Sequence, residues 1–197
     1  MIDSTDADFW TSRYAAETTP WDFHGVPAAL RAFLRRTRPG GTVLIPGCGR
    51  GYEVRAFHDA GFEVIAVDFS PAAVEQARAL LGPLAKCVLL DDFFKAKFRE
   101  TSFDLIYERT FLCSLPPNLW PAYVARIAEL LRPEGRLIGM FLFGHESDPP
   151  PYPLAEEETS KLFGDRFRLV KSDVVDDSLP IFAGMEKWQE WQLVTQN

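Results

Sequence analysis

The chain has 197 residues, 47% of them hydrophobic and 25% charged, and a formal net charge of −7. That composition suits one globular domain, excludes a wholly disordered chain and would repel a polyanionic partner such as nucleic acid. No apolar run approaches the ~18 residues that suggest a membrane helix, and the acidic start MIDSTDADFW lacks the charged-then-apolar order of a secretory signal.

Residues 1–40 read as an aromatic-rich arm. FWTSRY and PWDFHG lie among turn-forming residues, and the segment looks too irregular for helix or strand. A short helix is predicted over residues 28–34, stopped by Pro39-Gly40-Gly41. The densest basic stretch, Arg31, Arg35, Arg36 and Arg38, sits near that helix end, where cations offset the dipole. It is too short to mark a nucleic-acid face.

From Thr42 the pattern changes. TVLIPG is a β-branched apolar run that ends in glycine and reads as a buried strand. Residues 51–60 suit a helix ended by Gly61, and FEVIAVD a second strand ended by an acid. Ser70-Pro71 opens the next helix, with Ser as N-cap and Pro first inside, and Gly82 follows Leu81 as its cap. KCVLL and FDLIYE give strands three and four. A helix is predicted over residues 118–131, with Val124, Ile127, Ala128 and Leu131 at helical spacing. Pro133-Glu134-Gly135 reads as a turn before a fifth strand, RLIGMFLF. After the proline-rich loop DPPPYPL, residues 156–163 form a helix with three acids in its first turn. FRLVKSDV and KWQEWQLV close the chain as two strands. This alternation predicts an α/β fold: a doubly wound, mostly parallel, seven-stranded sheet with an antiparallel edge hairpin. The expected organisation is one domain over residues 1–197.

The chemistry gathers at the strand ends. Glycines after a buried strand let another molecule approach the backbone, and Gly47, Gly49 and Gly51 follow the first strand. In open α/β sheets, ligands sit at the carboxyl ends of strands. Asp68 ends the second strand about 20 residues on, placed for a ribose hydroxyl pair. Asp91-Asp92 ends the third. One carboxylate there can accept from an adenine amino group while the next amide donates to a ring nitrogen. A dinucleotide fingerprint would need a third glycine at position 52, where Tyr52 stands. The G-x-G-x-G run fits a nucleoside cofactor without a pyrophosphate, although a tight strand–helix turn would also use glycines.

The chain resembles the S-adenosylmethionine-dependent methyltransferases, and more narrowly the thiopurine methyltransferase family and its thiol/halide branch. The carriers are FWTSRY…TPWD, VLIPGCGRGYEV, VIAVDFS, DDFF, FDLIYERTFLCSLPP and PPPYPLAEEE before LFG. The resemblance implies a Rossmann-like class I methyltransferase fold and S-adenosyl-L-methionine as cofactor. Matched by position, it implies cofactor contacts from Trp10, Tyr14, Trp21, Gly47, Gly49, Asp68, Asp92, Phe93 and Arg109. The chain departs from the family at Tyr14, where a second Trp is frequent. Glu108-Arg109 is nearer the thiopurine-type pattern, whereas PGCG and TFLCSLPP are nearer the thiol/halide branch.

A sulfonium cation gives the aromatics a physical reason: ring faces attract cations by ~0.5–2 kcal/mol each. Trp10, Tyr14 and Trp21 would fold over the site as a lid, with residues 1–40 as the arm; ordinary core packing is the competing reading. Arg109 would bind the cofactor carboxylate or steady a thiolate, unless it merely pairs with Glu108 at the surface. Arg109, Phe111 and Leu112, with the proline-rich loop, would wall the acceptor pocket. The expected reaction moves a methyl group to a thiol, thiopurine, thiocyanate or halide. No general base is identified. The alternatives are a nucleotide-cofactor oxidoreductase and an inactive cofactor-binding protein of the same fold.

Cys48, Cys87 and Cys113 lack paired or metal-ligand spacing, so no metal and no disulfide framework are expected, and a cytoplasmic setting is the simplest. Cys48 and Cys113 read as packing, as do Trp188 and Trp191. His24, His58 and His145 lack ligand or triad spacing; His24 and His145 would line an entrance. A monomer acting on a small molecule is expected, with no membrane or nucleic-acid partner.

Overall fold

A computed structural model describes residues 3–146 and 148–194. The elements are α1 (Ala7–Ala15), α2 (Ala28–Arg36), β1 (Thr42–Pro46), α3 (Tyr52–Asp59), β2 (Glu63–Asp68), α4 (Pro71–Leu81), β3 (Val88–Leu90), β4 (Phe103–Arg109), α5 (Trp120–Leu130), β5 (Leu131–Leu142), α6 (Glu156–Phe163), β6 (Phe167–Val174) and β7 (Glu186–Leu193). The strands form a seven-stranded sheet in the order β3-β2-β1-β4-β5-β7-β6. The chain resolves into two compact units, Met1–Ala96 and Lys97–Asn197. Residues 1, 2, 147 and 195–197 of the expected 1–197 domain lie outside the described residues.

In the first unit, β1, β2 and β3 run parallel, with Val43 opposite Val64 and Ala66 opposite Val88. The apolar runs bury on both faces, as a covered parallel sheet requires: Val43, Leu44, Ala66 and Val67 are fully buried. α4 starts as the sequence predicts, with the Ser70 hydroxyl accepting from the Ala73 N–H and Pro71 just inside. Its buried face is Ala73, Val74, Ala77 and Leu81.

The amino-terminal arm is more regular than the sequence suggests. FWTSRY lies within α1, where no element is predicted. The Asp6 carboxylate caps the helix by accepting from the Asp8 N–H. Tertiary contacts then hold what nine residues alone would not sustain. Gln76 of α4 donates through Nε2 to the Tyr14 carbonyl at 2.9 Å, and the Thr11 and Ser70 hydroxyls meet at 3.1 Å.

In the second unit, β4 and β5 run parallel, and β7 pairs antiparallel with both β5 and β6, giving the expected hairpin. α5 buries Tyr123, Val124, Ile127 and Leu130. Phe163 of α6 stacks on Trp191 at 4.8 Å between ring centres. Trp188 and Trp191 are both core. The largest boundary difference is at β5, which begins directly after α5 because Leu131 pairs with Phe103, and pairing resumes only at Arg136 opposite Leu105. The predicted Pro133-Glu134-Gly135 turn is therefore a bulge within the strand, with Glu134 at φ +62°. No helix among the described residues is long and apolar enough to cross a membrane.

Candidate active site

The residues that the sequence singles out fall into two groups, one in each unit. The first begins at the turn after β1. Gly47, Gly49 and Gly51 have φ of +58°, +51° and +71°, the left-handed region that side chains rarely adopt. A Cβ on Gly49 would lie 2.5 Å from the Tyr14 hydroxyl oxygen, so this position excludes a side chain on space as well as on strain.

Asp68 ends β2 and braces this turn. Its Oδ2 accepts from the Gly49 N–H at 2.9 Å, and its Oδ1 from the Ser70 N–H at 2.9 Å. Burial pushes its carboxyl pKa upward, and the backbone N–H donors pull against that shift. A carboxylate oxygen has a second lone pair, so each can still accept from a ribose hydroxyl. The bracing is a further role, unpredicted from sequence.

The arm supplies the aromatics. Trp10 and Trp21 meet edge-to-face at 5.3 Å, and Tyr14 and Trp21 at 6.1 Å. Trp21 Nε1 donates to the Tyr14 hydroxyl at 3.5 Å, and Trp10 Nε1 to the Ser4 carbonyl at 2.8 Å. Tyr14 is buried, and desolvation drives its phenol far above the usual tyrosine range. An ion pair absent from the sequence reading ties the arm to the glycine turn: Arg50 Nε lies 3.0 Å from Asp22 Oδ2, with the Asp22 side chain only 6% exposed. The available signal was an Arg between two turn glycines and an Asp directly after Trp21. His24 is exposed and lies 3.6 Å from Asp22. With Glu17, Thr18, Thr19, Pro20 and Arg50, it lines an open cleft of about 420 Å³.

At the end of β3, Asp91 N–H donates to the Asp68 carbonyl, which ties the second acid turn to the first. Asp92 accepts from the Phe94 N–H at 2.9 Å and pairs with exposed Lys95 at 2.8 Å. Phe93 is buried and meets Phe94 edge-to-face at 5.2 Å. Trp10, Tyr14, Trp21, Gly47, Gly49, Asp68, Asp92 and Phe93 all belong to this first unit.

Arg109, Phe111 and Leu112 belong to the second. Glu108 is not a surface partner for Arg109. It is 1% exposed; its Oε1 accepts from the N–H groups of Phe111 and Leu112 at 2.9 and 2.8 Å, and its Oε2 from the Tyr123 hydroxyl at 2.6 Å. Desolvation raises its carboxyl to about 7, against the pull of those three donors. Glu108 thus fixes the turn that follows Arg109. Arg109 and Phe111 stay partly exposed while Leu112 is buried. The Tyr152 N–H donates to the Cys113 carbonyl, fastening the proline-rich loop to this turn. Burial raises the thiols of both Cys48 and Cys113 far above the free-cysteine range, which suits packing rather than nucleophilic roles.

The first group fits an adenosyl sulfonium compound. Glycines in the turn offer close backbone approach, a buried acid offers ribose acceptors, and three aromatic rings supply the kind of surface a cation favours. The second group offers a cation beside a partly apolar turn.

Comparison with known proteins agrees with this chemistry. The family model described as thiopurine S-methyltransferase matches residues 5–193. The chain is 35% identical over 202 residues to the probable thiol methyltransferase 2 of Arabidopsis thaliana, covering 98% of this chain and 88% of that protein. It is 29% identical over 192 residues to thiocyanate methyltransferase 1 of Brassica oleracea, covering 94% and 84%. It is 27% identical over 206 residues to thiopurine S-methyltransferase of Vibrio atlanticus, covering 93% and 94%. Among solved structures, Burkholderia thailandensis 1,6-didemethyltoxoflavin-N1-methyltransferase, solved with S-adenosylhomocysteine, superposes with a TM-score of 0.75 at 22% identity, covering 96% of this chain and 87% of that one. Magnesium protoporphyrin IX methyltransferase from Synechocystis, solved with S-adenosylmethionine, gives 0.73 at 17%, covering 99% of each chain. The fold is that of the class I methyltransferases, and the chain belongs to the thiopurine S-methyltransferase family and is a methyltransferase.

Proposed function

We propose that this methyltransferase binds S-adenosyl-L-methionine at the glycine turn of the first unit and methylates a small soft nucleophile: a thiol, a thiopurine, thiocyanate or a halide. When bound, the cofactor supplies an electrophilic methyl group on a positively charged sulfur. The protein's part is to bind, orient and exclude water. Gly47 and Gly49 give the backbone close approach, Asp68 accepts from the ribose, and Asp92 with the Phe93 N–H reads the adenine. Trp10, Tyr14 and Trp21 form the cation-facing wall, with residues 1–40 as lid within a single domain. Arg109 holds an anionic group, and Phe111 and Leu112 give the acceptor a dry, polarizable surround.

The observation that carries this reading is the Tyr14–Gly49–Asp68 arrangement. A buried acid fixes a backbone amide at a glycine that has no room for a Cβ beside the Tyr14 hydroxyl. The relatives' names, for thiol, thiocyanate and thiopurine substrates, support a soft acceptor. The net charge of −7 supports small-molecule rather than nucleic-acid partners. The reading places the protein in the cytoplasm as a monomer, which sedimentation of the pure protein checks for the oligomeric part. The main test is transfer of labelled methyl to a panel of thiols, thiocyanate, iodide and a thiopurine. Transfer to at least one is expected; transfer to none overturns the proposal.

A further inference from the structure

The sequence names no base for a neutral thiol, and the structure holds a group suited to that task. β7 begins at Glu186, opposite Leu142 near the end of β5. Met140 pairs with Arg109 on one side and with Trp188 on the other. Side chains alternate along a strand, so Glu186, two residues before Trp188, shares the sheet face of Arg109. It lies one row further toward the carboxyl ends of β4 and β5, the rim where ligands of such sheets sit.

Glu186 is 3% exposed, and its Oε2 atom is buried without a hydrogen-bond partner. Buried carboxylate oxygens normally find donors, and one without calls for an explanation. The groups that face it are Arg109 from β4, Cys113 from the turn after β4, and Asp177 and Ser178 from the loop before β7. Burial and Asp177 favour its protonated form; Arg109 and Ser178 favour the ionised one.

We infer that Glu186 is the proton acceptor for a neutral thiol substrate. The inference rests on the acceptor site proposed above. The thiol S–H bond breaks and its proton goes to a Glu186 oxygen. The sulfur lone pair forms the new S–C bond. The bond from the methyl carbon to the sulfonium breaks, its electron pair staying on the departing sulfur as a neutral thioether. Glu186 then returns the proton to water.

The test compares benzyl mercaptan, whose alkyl-type thiol is neutral at pH 7, with thiocyanate as acceptors in wild type and Glu186→Gln. The expected result is a fall of about 100-fold or more in kcat/KM for benzyl mercaptan, the usual worth of a general base. Thiocyanate, which carries no proton to remove, should lose far less. The benzyl mercaptan profile should also lose its dependence on an ionising carboxylate at low pH. Equal losses on both acceptors would show a structural role and overturn the inference. Glu186→Asp keeps a carboxylate and is expected to retain the pH profile at reduced rate; loss of the profile there also counts against it. A second readout needs no turnover. Ultraviolet difference absorbance should show benzyl mercaptan bound as thiolate to wild type and as thiol to Glu186→Gln; thiol in both overturns the inference. Wild type that methylates nothing refutes the broader reading instead, and the absorbance titration then decides Glu186 alone.

Discussion

Both units bury acids near their strand ends, yet they treat them differently. In the first, Asp68 spends its carboxylate on the amides of Gly49 and Ser70, one on each oxygen. It works as a brace between two backbone segments. In the second, Glu108 anchors a turn but is raised to about 7, and Glu186 leaves an oxygen unmatched. The Glu108 carboxyl changes protonation near neutral pH, and burial raises Glu186 above the ordinary carboxylate range. The difference separates two tasks. A site that must hold a rigid nucleoside gains from preformed backbone geometry, whereas a site that must handle a proton gains from poorly solvated acids.

The brace can be broken most severely at Gly49. Gly49→Ala adds a methyl 2.5 Å from the Tyr14 hydroxyl oxygen at a φ of +51°. Binding of S-adenosylhomocysteine, read by calorimetry, should weaken by about 100-fold, from steric displacement plus left-handed strain of roughly 1–3 kcal/mol. Adding Tyr14→Phe removes the clashing oxygen and should recover part of that loss. No recovery would mean that backbone strain alone sets the cost.

The titratable side is sharpened by Glu108→Gln. The Glu108 carboxyl is raised from 4.5 to about 7 in the fold, so the folded state holds more protons than the unfolded state between those values. Its contribution to stability is complete below about 4.5 and is lost as pH rises through about 7. Wild type should therefore lose about 2–3 kcal/mol from this group between pH 5 and pH 8. Urea unfolding at both pH values should show that share missing in Glu108→Gln, whose side chain does not titrate. A wild-type curve that rises over this range by the same amount in both proteins would contradict the burial argument.

The smallest effect belongs to a group outside either task. Lys95 is 82% exposed in its pair with Asp92. Lys95→Ala should leave stability almost unchanged, as loss of an exposed ion pair does. A thermal melt that shifts much more would give Asp92 a structural weight that the comparison denies it.

The local features were legible in the sequence. Ser70-Pro71 announced α4, alternating apolar runs announced the strands, and three glycines announced the turn, because each signal sits within a few residues of its effect. α1 was not legible: nine residues with Thr11 and Ser12 in their midst show little amphipathic pattern, and the helix is held by Asp6 and by Gln76 of α4. The bulge at Pro133-Glu134-Gly135 was half legible, since the turn residues were visible but the pairing of Leu131 with Phe103 was not. Asp22 with Arg50, Glu108 with Tyr123 and Glu186 beside Arg109 join residues far apart in the chain. Only folding brings them together, so an acid such as Glu108 read as surface when it is core.

The central claim, that the first unit's brace and aromatic wall receive the adenosyl cofactor, is tested most directly by calorimetric titration of wild type and Asp68→Ala with S-adenosylhomocysteine. The account expects clear binding heat in wild type and an affinity lower by about 1–3 kcal/mol, or roughly 5–150-fold, in the variant. Silence from wild type at millimolar ligand, or equal affinity in the two proteins, would contradict it.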